Sequence, residues 1–192
     1  MAAIGLASWQ LADTLKSRED RPGRHATSGA VASQSAPAKP ATHPIKIVGA
    51  QDFDPYSDDG SENPEKVPKA IDGNTSTYWE TSWYSTADLG SLKPGVGLIV
   101  DLGSAHKVGK VSVDLIGGST SVDLMAAGKD AASAPTSLDG FTKVASGSGA
   151  QQLTLVPQSD VTSRYLLVWL TKLPQMQDGH YRGRIAEINV TS

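Results

Sequence analysis

The chain has 192 residues, a formal net charge of −3, 19 glycines, 11 prolines and no cysteine. Its length suits one domain of ordinary size with extensions, and the glycine and proline content favours a turn-rich β architecture over a helical one. The lack of cysteine excludes disulfide crosslinks, zinc–thiolate sites and a cysteine nucleophile. The negative charge, without a basic stripe, argues against nucleic acid as a partner.

The first 15 residues are apolar and compatible with a helix, but they are fewer than the ~20 that a bilayer span requires. Trp9 is followed by polar residues, as at the outer end of a membrane helix, and no basic region precedes it, so a signal peptide is not indicated. Residues 1–15 are therefore interpreted as the end of a membrane-adjacent helix. An ordinary amphipathic N-terminal helix is the alternative.

Residues 16–44 combine charged residues with Ser, Ala, Gly and Pro and contain almost no large apolar side chains. Such a segment buries too little surface to offset the entropy that it would lose on ordering. They are predicted to form a flexible, disordered linker. The folded domain is predicted to span residues 45–192.

The stretch Lys-Ala-Ile-Asp-Gly-Asn-Thr-Ser-Thr-Tyr-Trp-Glu-Thr, residues 69–81, combines a tight turn with a large aromatic side chain. Asp72-Gly73 favours a turn because glycine accepts positive φ, and the oxygens around such a turn can converge on a hard cation. Trp79 is predicted to fill the core beneath the turn. A well-capped loop with a core tryptophan and no metal is the alternative.

From residue 96 onward, apolar and polar residues alternate in short segments, as in half-buried strands. The apolar sets are Val96, Leu98, Val100 and Leu102; Val111, Val113 and Leu115; Val122 and Leu124; and Leu153 and Leu155. Residues 165–170 are apolar on both faces, which predicts a central strand covered on both sides. In the last strand, 185–190, Ala186, Ile188 and Val190 are predicted to face one way and Glu187 the other. Strands without intervening helices predict an all-β sandwich or jelly roll.

The acidic stretch 52–60 and the candidate catalytic carboxylates do not match a known metal-binding or catalytic pattern. The acidic stretch 52–60 fails the spacing of an EF-hand loop and is interpreted as a surface loop. No Gly-x-Ser-x-Gly elbow is present, and the carboxylates considered for glycoside hydrolysis are not marked as a pair. Those carboxylates are Asp52, Asp54, Glu80 and Asp178. The chain is not expected to be an enzyme.

Three motifs in this order, Ala-Ile-Asp-Gly-Asn-Thr-Ser-Thr-Tyr-Trp (70–79), Val-Gly-Leu-Ile-Val-Asp-Leu-Gly (96–103) and Ala-Glu-Ile-Asn-Val (186–190), resemble the discoidin, or coagulation-factor C-type, domain. This resemblance implies a galactose-binding-like jelly roll with a structural Ca²⁺ beside the Asp-Gly turn. The implied ligands are the side chains of Asp72, Thr77 and Glu187 and the backbone carbonyls of Lys69, Asn74 and Ala186. Glu187 also lies in an apolar strand, where a carboxylate needs a partner, although a surface-facing Glu187 is the alternative.

A second resemblance covers nearly the whole chain. Ala-Ser-Trp-Gln-Leu (7–11), Lys-Pro-Gly-Val-Gly-Leu (93–98), Pro-Thr-Ser-Leu-Asp-Gly-Phe (135–141) and Tyr-Arg-Gly-Arg-Ile-Ala-Glu (181–187) resemble the carboxy-terminal ectodomain of actinobacterial membrane proteins that combine a lipid II flippase-like region with a pseudokinase. This implies a domain on the cell-wall side of the membrane, anchored by a preceding helix and involved in peptidoglycan biosynthesis. The ligand of the domain does not follow from it.

Aromatic and basic residues in the loops are the candidates for ligand binding, because aromatic faces stack on sugar rings while Arg and His donate hydrogen bonds. The candidates are Trp83, Tyr84, His180, Tyr181 and Arg182, with Phe53 and Tyr56 on another loop. They predict a non-catalytic module that binds a cell-wall glycan or a lipid-linked precursor. The alternative is a protein-interaction or spacer ectodomain, in which Trp83 or Tyr84 packs on the core rim and Arg182 is merely solvated.

Overall fold

The computed structural model describes residues 42–192, so the expected helix over residues 1–15 and most of the expected linker over 16–44 lie outside the described residues. The strands of the described part are β1 (Pro44–Ile45), β2 (Gly49–Phe53), β3 (Trp79–Glu80), β4 (Val96–Val108), β5 (Lys110–Leu115), β6 (Thr120–Ala127), β7 (Phe141–Gly149), β8 (Gln152–Leu155), β9 (Val161–Lys172) and β10 (Arg184–Thr191). Short 3-10 helices span Pro64–Ala70, Leu89–Ser91 and Leu138–Gly140. Over residues 42–192, no helix has the length and apolar character needed to cross a membrane.

The strands form two sheets that together make a jelly-roll sandwich. The first sheet has the order β1-β10-β5-β8, with β3 also paired to β10, and the second has the order β2-β4-β9-β6-β7. All of these pairs are antiparallel. The all-β sandwich predicted from the alternation of apolar residues is confirmed.

The main core lies between the two sheets and is built from the alternating apolar residues. Every member of the predicted apolar sets is buried in it: Val96, Leu98, Val100, Leu102, Val111, Val113, Leu115, Val122, Leu124, Leu153 and Leu155. Trp79 is fully buried in the same core, as predicted, and its indole Nε1 donates a hydrogen bond to the Glu62 carbonyl at 2.9 Å. The bond matters because a buried indole N–H without an acceptor is costly.

A second apolar cluster covers the outer face of the second sheet. Trp169 contacts Phe53 edge to face at a ring-centroid distance of 5.8 Å, and residues of the segment 128–140 pack over this cluster. Leu166, Val168 and Leu170 lie in the main core instead. The prediction that residues 165–170 form a strand with both faces covered is therefore confirmed.

Strand β10 departs from the predicted alternation. Its pairing with β5 shifts between Ile185 and Glu187, so Ile185, rather than Ala186, shares the core with Ile188 and Val190. A β-bulge of this kind adds one residue and reverses the facing of the side chains before it. The prediction for Ala186 is wrong for this reason, whereas Glu187 does face away from the main core.

The two ends of the sandwich differ. Four loops, over residues 54–63, 81–95, 116–119 and 173–183, meet at one end, which we call the loop end. Strand β10 starts there and runs to the opposite end, where β1 pairs with its last residues. The backbone N–H of Ser192 donates to the His43 carbonyl at 2.9 Å. The chain therefore enters and leaves the described fold at the end away from the loops.

Candidate ligand-binding site at the loop end

Two loops are joined at the loop end by an isolated antiparallel bridge between Tyr84 and Tyr181. Each backbone N–H donates to the carbonyl of the other residue at 2.9 Å. The bridge brings Trp83 against His180, with ring centroids 4.5 Å apart and an interplanar angle of 64°. Trp83 is 58% exposed, so its indole is held in place and still open to solvent. The structure thus places four of the predicted binding residues together.

Tyr84 does not offer the stacking surface that was predicted for it. Its side chain is only 6% exposed and belongs to the main core, because it points inward where its neighbour Trp83 points outward. Its hydroxyl donates to the Glu62 carboxylate, with distances of 3.2 and 3.3 Å to the two oxygens. Burial raises the pKa of Tyr84 to about 12. The alternative of packing at the core therefore applies to Tyr84, and Phe53, the other loop candidate, is buried as well.

Arg182 lies at the rim of a cleft of ≈ 450 Å³ that we call the arginine cleft. It is lined by Gly117, residues 175–178, Arg182 and Arg184. Arg182 Nη1 donates to Asp178 Oδ2 at 2.7 Å, and the His180 backbone N–H donates to Asp178 Oδ1 at 3.0 Å. The hydrogen bond from Arg182, followed by that from His180, lowers the pKa of Asp178. Arg182 is therefore fixed by a partner rather than merely solvated.

Arg184, which sequence reasoning missed, occupies the same cleft. Its Nε donates to Glu80 Oε2 at 3.1 Å, and its guanidinium lies 4.9 Å from the ring centroid of Tyr78. Lys66 Nζ donates to the other oxygen of Glu80 at 3.0 Å. Burial acts to raise the pKa of Glu80, but the bonds from Lys66 and Arg184 outweigh it and lower the pKa.

A second cleft, of ≈ 440 Å³, contains a buried ionic network. Lys93 Nζ contacts Asp54 Oδ2 and lies 3.3 Å from Glu62 Oε2, with side-chain exposures of 9%, 0% and 3% for Lys93, Asp54 and Glu62. Burial raises the pKa of Glu62, opposed by the Ser82 backbone N–H and the Lys93 charge. Burial lowers the pKa of Lys93, but Asp54 and the other partners reverse this and raise it. We call this the acidic cleft, because Asp58 and Asp59 also line it.

The acidic network corrects one interpretation of the sequence. The stretch 52–60 was interpreted as an acidic surface loop, and residues 55, 56 and 58–60 are indeed exposed. Asp54, however, is buried and paired, and Asp52 accepts a hydrogen bond from the Glu62 backbone N–H at 2.5 Å. The partners lie 31 and 39 residues apart in sequence, on separate loops. No local motif marks such a pairing, so the sequence offered no signal for it.

The Asp-Gly turn brings most of the predicted calcium ligands together. Thr77 Oγ1 donates to Asp72 Oδ2 at 2.7 Å and to the Asn74 carbonyl at 2.9 Å. The Gly73 N–H donates to Glu187 Oε2 at 2.7 Å, so the turn lies directly against β10. Gly73 has a φ of 77°, the conformation that the turn requires of glycine. Lys69 lies in the last turn of the 3-10 helix Pro64–Ala70 before the Asp-Gly turn, and Ala186 precedes Glu187 in β10.

The side chains at this turn offer oxygen atoms of the kind that a hard cation takes as ligands. Glu187 is only 7% exposed, and burial raises its pKa, opposed by the Gly73 N–H and reinforced by the negative charge of Asp72. A buried carboxylate next to a second carboxylate favours a cation between them. No cluster of three or more His, Asp or Glu side chains suited to a metal exists within residues 42–192, so carbonyl oxygens would have to complete a shell of six to eight. Oxygen-only ligands suit Ca²⁺ rather than zinc.

No protein-family model matches the chain. Among solved structures, it is similar to truncated AlyQ with CBM32 and alginate lyase domains, with 18% identity over 79% of this chain and 34% of that chain and a TM-score of 0.54. The chain thus spans about a third of that protein's length. The CBM32 of AlyQ in complex with 4,5-unsaturated mannuronic acid matches with 20% identity over 77% of this chain and 97% of that chain, and a TM-score of 0.53.

A third similar structure is the family 32 CBM from C. perfringens NanJ in complex with galactose. It has 23% identity over 79% of this chain and 100% of that chain, with a TM-score of 0.54. At these identities the likeness establishes the fold alone. Residues 42–192 adopt the jelly-roll sandwich of the CBM32 structures, which is the galactose-binding-like fold that the discoidin resemblance implied.

Proposed function

We propose that residues 42–192 form a non-catalytic carbohydrate-binding module whose ligand lies at the loop end. The observation that carries this proposal is Trp83, a large aromatic side chain that is 58% exposed and lies against His180, whose backbone N–H donates to Asp178 of the arginine cleft. Leaving an indole in water is unfavourable, and an aromatic face flanked by hydrogen-bond donors suits a sugar ring. The fold adds support, because a module of the same fold is in complex with mannuronic acid in AlyQ and another with galactose in NanJ.

The state of the carboxylates supports a binding role over a catalytic one. Glycoside hydrolysis needs one carboxylic acid that keeps its proton near neutral pH. The pKa of Glu80 and that of Asp178 are lowered by their basic partners, so both groups stay ionised. Glu62 has a raised pKa, but it is buried between the Ser82 N–H, Tyr84 and Lys93.

We further propose that the ligand is a cell-wall glycan or a lipid-linked precursor, bound on the cell-wall side of a membrane to which a preceding helix anchors the chain. This part rests on the resemblance of the sequence to the ectodomain of flippase-like membrane proteins with a pseudokinase region. We also propose that Asp72, Thr77 and Glu187, with the carbonyls of Lys69, Asn74 and Ala186, hold a structural Ca²⁺. The ion would fix the turn against β10 and take no part in binding the sugar.

The test is binding of the 192-residue chain to peptidoglycan fragments, to lipid-linked precursor and to neutral sugars, measured by calorimetry. Trp83→Ala should weaken binding roughly tenfold or more, as expected of a dominant aromatic contact, whereas Trp83→Phe keeps an aromatic face and should retain most of the affinity. Val156→Ala is the matched control, because Val156 is equally exposed at 58% and lies outside the loop end. Failure of the wild-type chain to bind any glycan at millimolar concentration would contradict the proposal.

A protein-interaction ectodomain is the second candidate. It is favoured by Leu92, which is 79% exposed at the loop end, and by Tyr56, which is 51% exposed nearby on the acidic cleft. An aliphatic side chain does not stack on sugar rings, but it does contribute to protein interfaces. Leu92→Ala should leave glycan binding unchanged if the first proposal holds.

A further inference from the structure

We propose that the arginine cleft is a subsite for a carboxylate group, so that the module prefers acidic sugars of the uronic acid class over neutral ones. This inference rests on the proposed function and gives its ligand a chemical class. It starts from the fact that Arg182 and Arg184 both line one cleft. Only Gly183 separates the two arginines in sequence, so both guanidinium groups reach the cleft from the same stretch of chain.

Both arginines keep donors free for a ligand. A guanidinium has five N–H donors, and the side-chain hydrogen bonds within residues 42–192 use Nη1 of Arg182 and Nε of Arg184. The remaining Nη donors of Arg184 form the edge that binds a carboxylate with two parallel hydrogen bonds. Neutral sugar hydroxyls can accept such bonds as well, but they gain no charge attraction.

The balance of charge at the cleft is positive. Two arginines and one carboxylate, that of Asp178, line it. Glu80, the partner of Arg184, is shared with Lys66, so this carboxylate does not neutralise Arg184 alone. The acidic cleft at the same end has the opposite balance, with four acidic side chains and one lysine. An anionic ligand at the loop end is therefore directed to the arginine cleft and away from the acidic cleft.

The guanidinium groups are also held in position before any ligand binds. Glu80 fixes one edge of Arg184 and Tyr78 supports it through a cation–π contact at 4.9 Å, while Asp178 fixes Arg182. A side chain that is already ordered loses less entropy on binding. These contacts therefore favour the affinity for a ligand as well as its orientation in the cleft.

The experiment is an NMR titration of the 192-residue chain with D-glucuronate and with D-glucose, which differ in the carboxylate at C6, at matched ionic strength. The Nε–H signals of Arg182 and Arg184 report on the cleft, and the indole N–H of Trp83 reports on sugar stacking. Arg164 is the internal control, because both of its bonds to Asp101, each 2.8 Å long, lie outside the cleft. We expect the Arg182 and Arg184 signals to saturate with glucuronate at a Kd roughly tenfold lower than with glucose, a modest gain for a charged hydrogen bond.

Two variants sharpen the test. Arg184→Gln should abolish the preference for glucuronate, and Arg184→Lys, which keeps the charge but loses the planar fork, should retain only part of it. If Arg184→Gln does not fold, as judged by its amide spectrum, Arg182→Gln takes its place.

The inference is overturned if the two arginine signals stay unmoved, respond equally to both sugars, or move in parallel with Arg164. It is also overturned if the preference survives in Arg184→Gln. A Trp83 signal that responds to both sugars while the arginines stay silent would overturn this inference and leave the proposed function intact. The reverse pattern, in which the arginines respond to glucuronate and Trp83 responds to no sugar, would support the carboxylate subsite and contradict stacking on Trp83.

Discussion

Removing the ammonium group of Lys93 should destabilise the fold strongly, because it leaves two buried carboxylates without their cation. Lys93→Met keeps most of the apolar stem, so the change isolates the charge. The side chains of Asp54 and Glu62 are 0% and 3% exposed, so both carboxylates depend on Lys93 for most of their charge compensation. Breaking a buried ion pair on one side costs about 3–5 kcal/mol of unfolding free energy. That is a large share of the ~5–15 kcal/mol that stabilises a typical domain.

The assay is urea denaturation followed by far-UV circular dichroism, with the m-value checked to confirm that the unfolded state is unchanged. Lys129→Met is the matched control, because Lys129 pairs with Asp130 at the surface, with side-chain exposures of 68% and 83%, and should cost less than about 0.5 kcal/mol. In an Asp54→Asn/Glu62→Gln background, Lys93→Met should cost much less than in the wild type, since the carboxylates that it leaves unpaired are already gone.

The unfolding free energy lost in Lys93→Met should also depend on pH in a defined direction. The pKa of Glu62 is raised above its ordinary 4.5, so the folded state binds its proton more tightly than the unfolded state does, and stability falls as pH rises from 4.5 through the folded-state pKa. Lys93 opposes this shift, so the deficit of Lys93→Met should be largest at neutral pH and should shrink as the pH falls and Glu62 becomes protonated. A deficit below about 1 kcal/mol at pH 7, or one equal to that of Lys129→Met, would refute the description of this network as buried and coupled.

Three further predictions concern the core, the charged strand end and the turn. Trp79→Ala and Trp169→Ala should each cost about 3–5 kcal/mol in urea denaturation, and a cost below about 1 kcal/mol would contradict their burial. Glu80→Gln should reduce the fall in Tm that the wild-type protein shows between pH 7 and pH 3. The lowered pKa of Glu80 means that its contribution is present above its ordinary 4.5 and is lost as pH falls through its folded value, so a wild-type-like fall in Tm from pH 7 to pH 3 would disagree. Asp72→Ala should lower the Tm and abolish its dependence on calcium. If EDTA leaves the wild-type Tm unchanged and elemental analysis finds no calcium, the proposed ion is absent.

The sheets could be predicted from the sequence because a half-buried strand imposes a period of two on its residues. That period was visible from Val96 to Leu102 and from Val111 to Leu115, and the doubly apolar run 165–170 correctly indicated a strand covered on both faces. The facing of Ala186 could not be predicted, because a bulge depends on the register with β5 and leaves no mark in the composition of β10.

The candidate site could be predicted from the sequence only where one residue has both the chemistry for binding and an exposed side chain. Trp83, His180 and Arg182 were identified from their residue types in loops, and the structure brings them close together. Tyr84 is also aromatic and lies next to Trp83 on the same loop, but at the bridge to Tyr181 its ring points into the core. Whether an aromatic residue of a loop points in or out depends on long-range pairing, which the local sequence does not encode.

Because β1 pairs with the last residues of β10, the two ends of the domain differ along the direction of this strand. About eight residues of β10, at ~3.3 Å each, separate the loops from the point where both ends of the described chain meet, a distance of roughly 25 Å. A ligand held in the arginine cleft is therefore remote from both attachment points. Immobilising the domain through either end on a sensor surface should leave the cleft facing outward, so the two orientations should report the same affinity for a sugar.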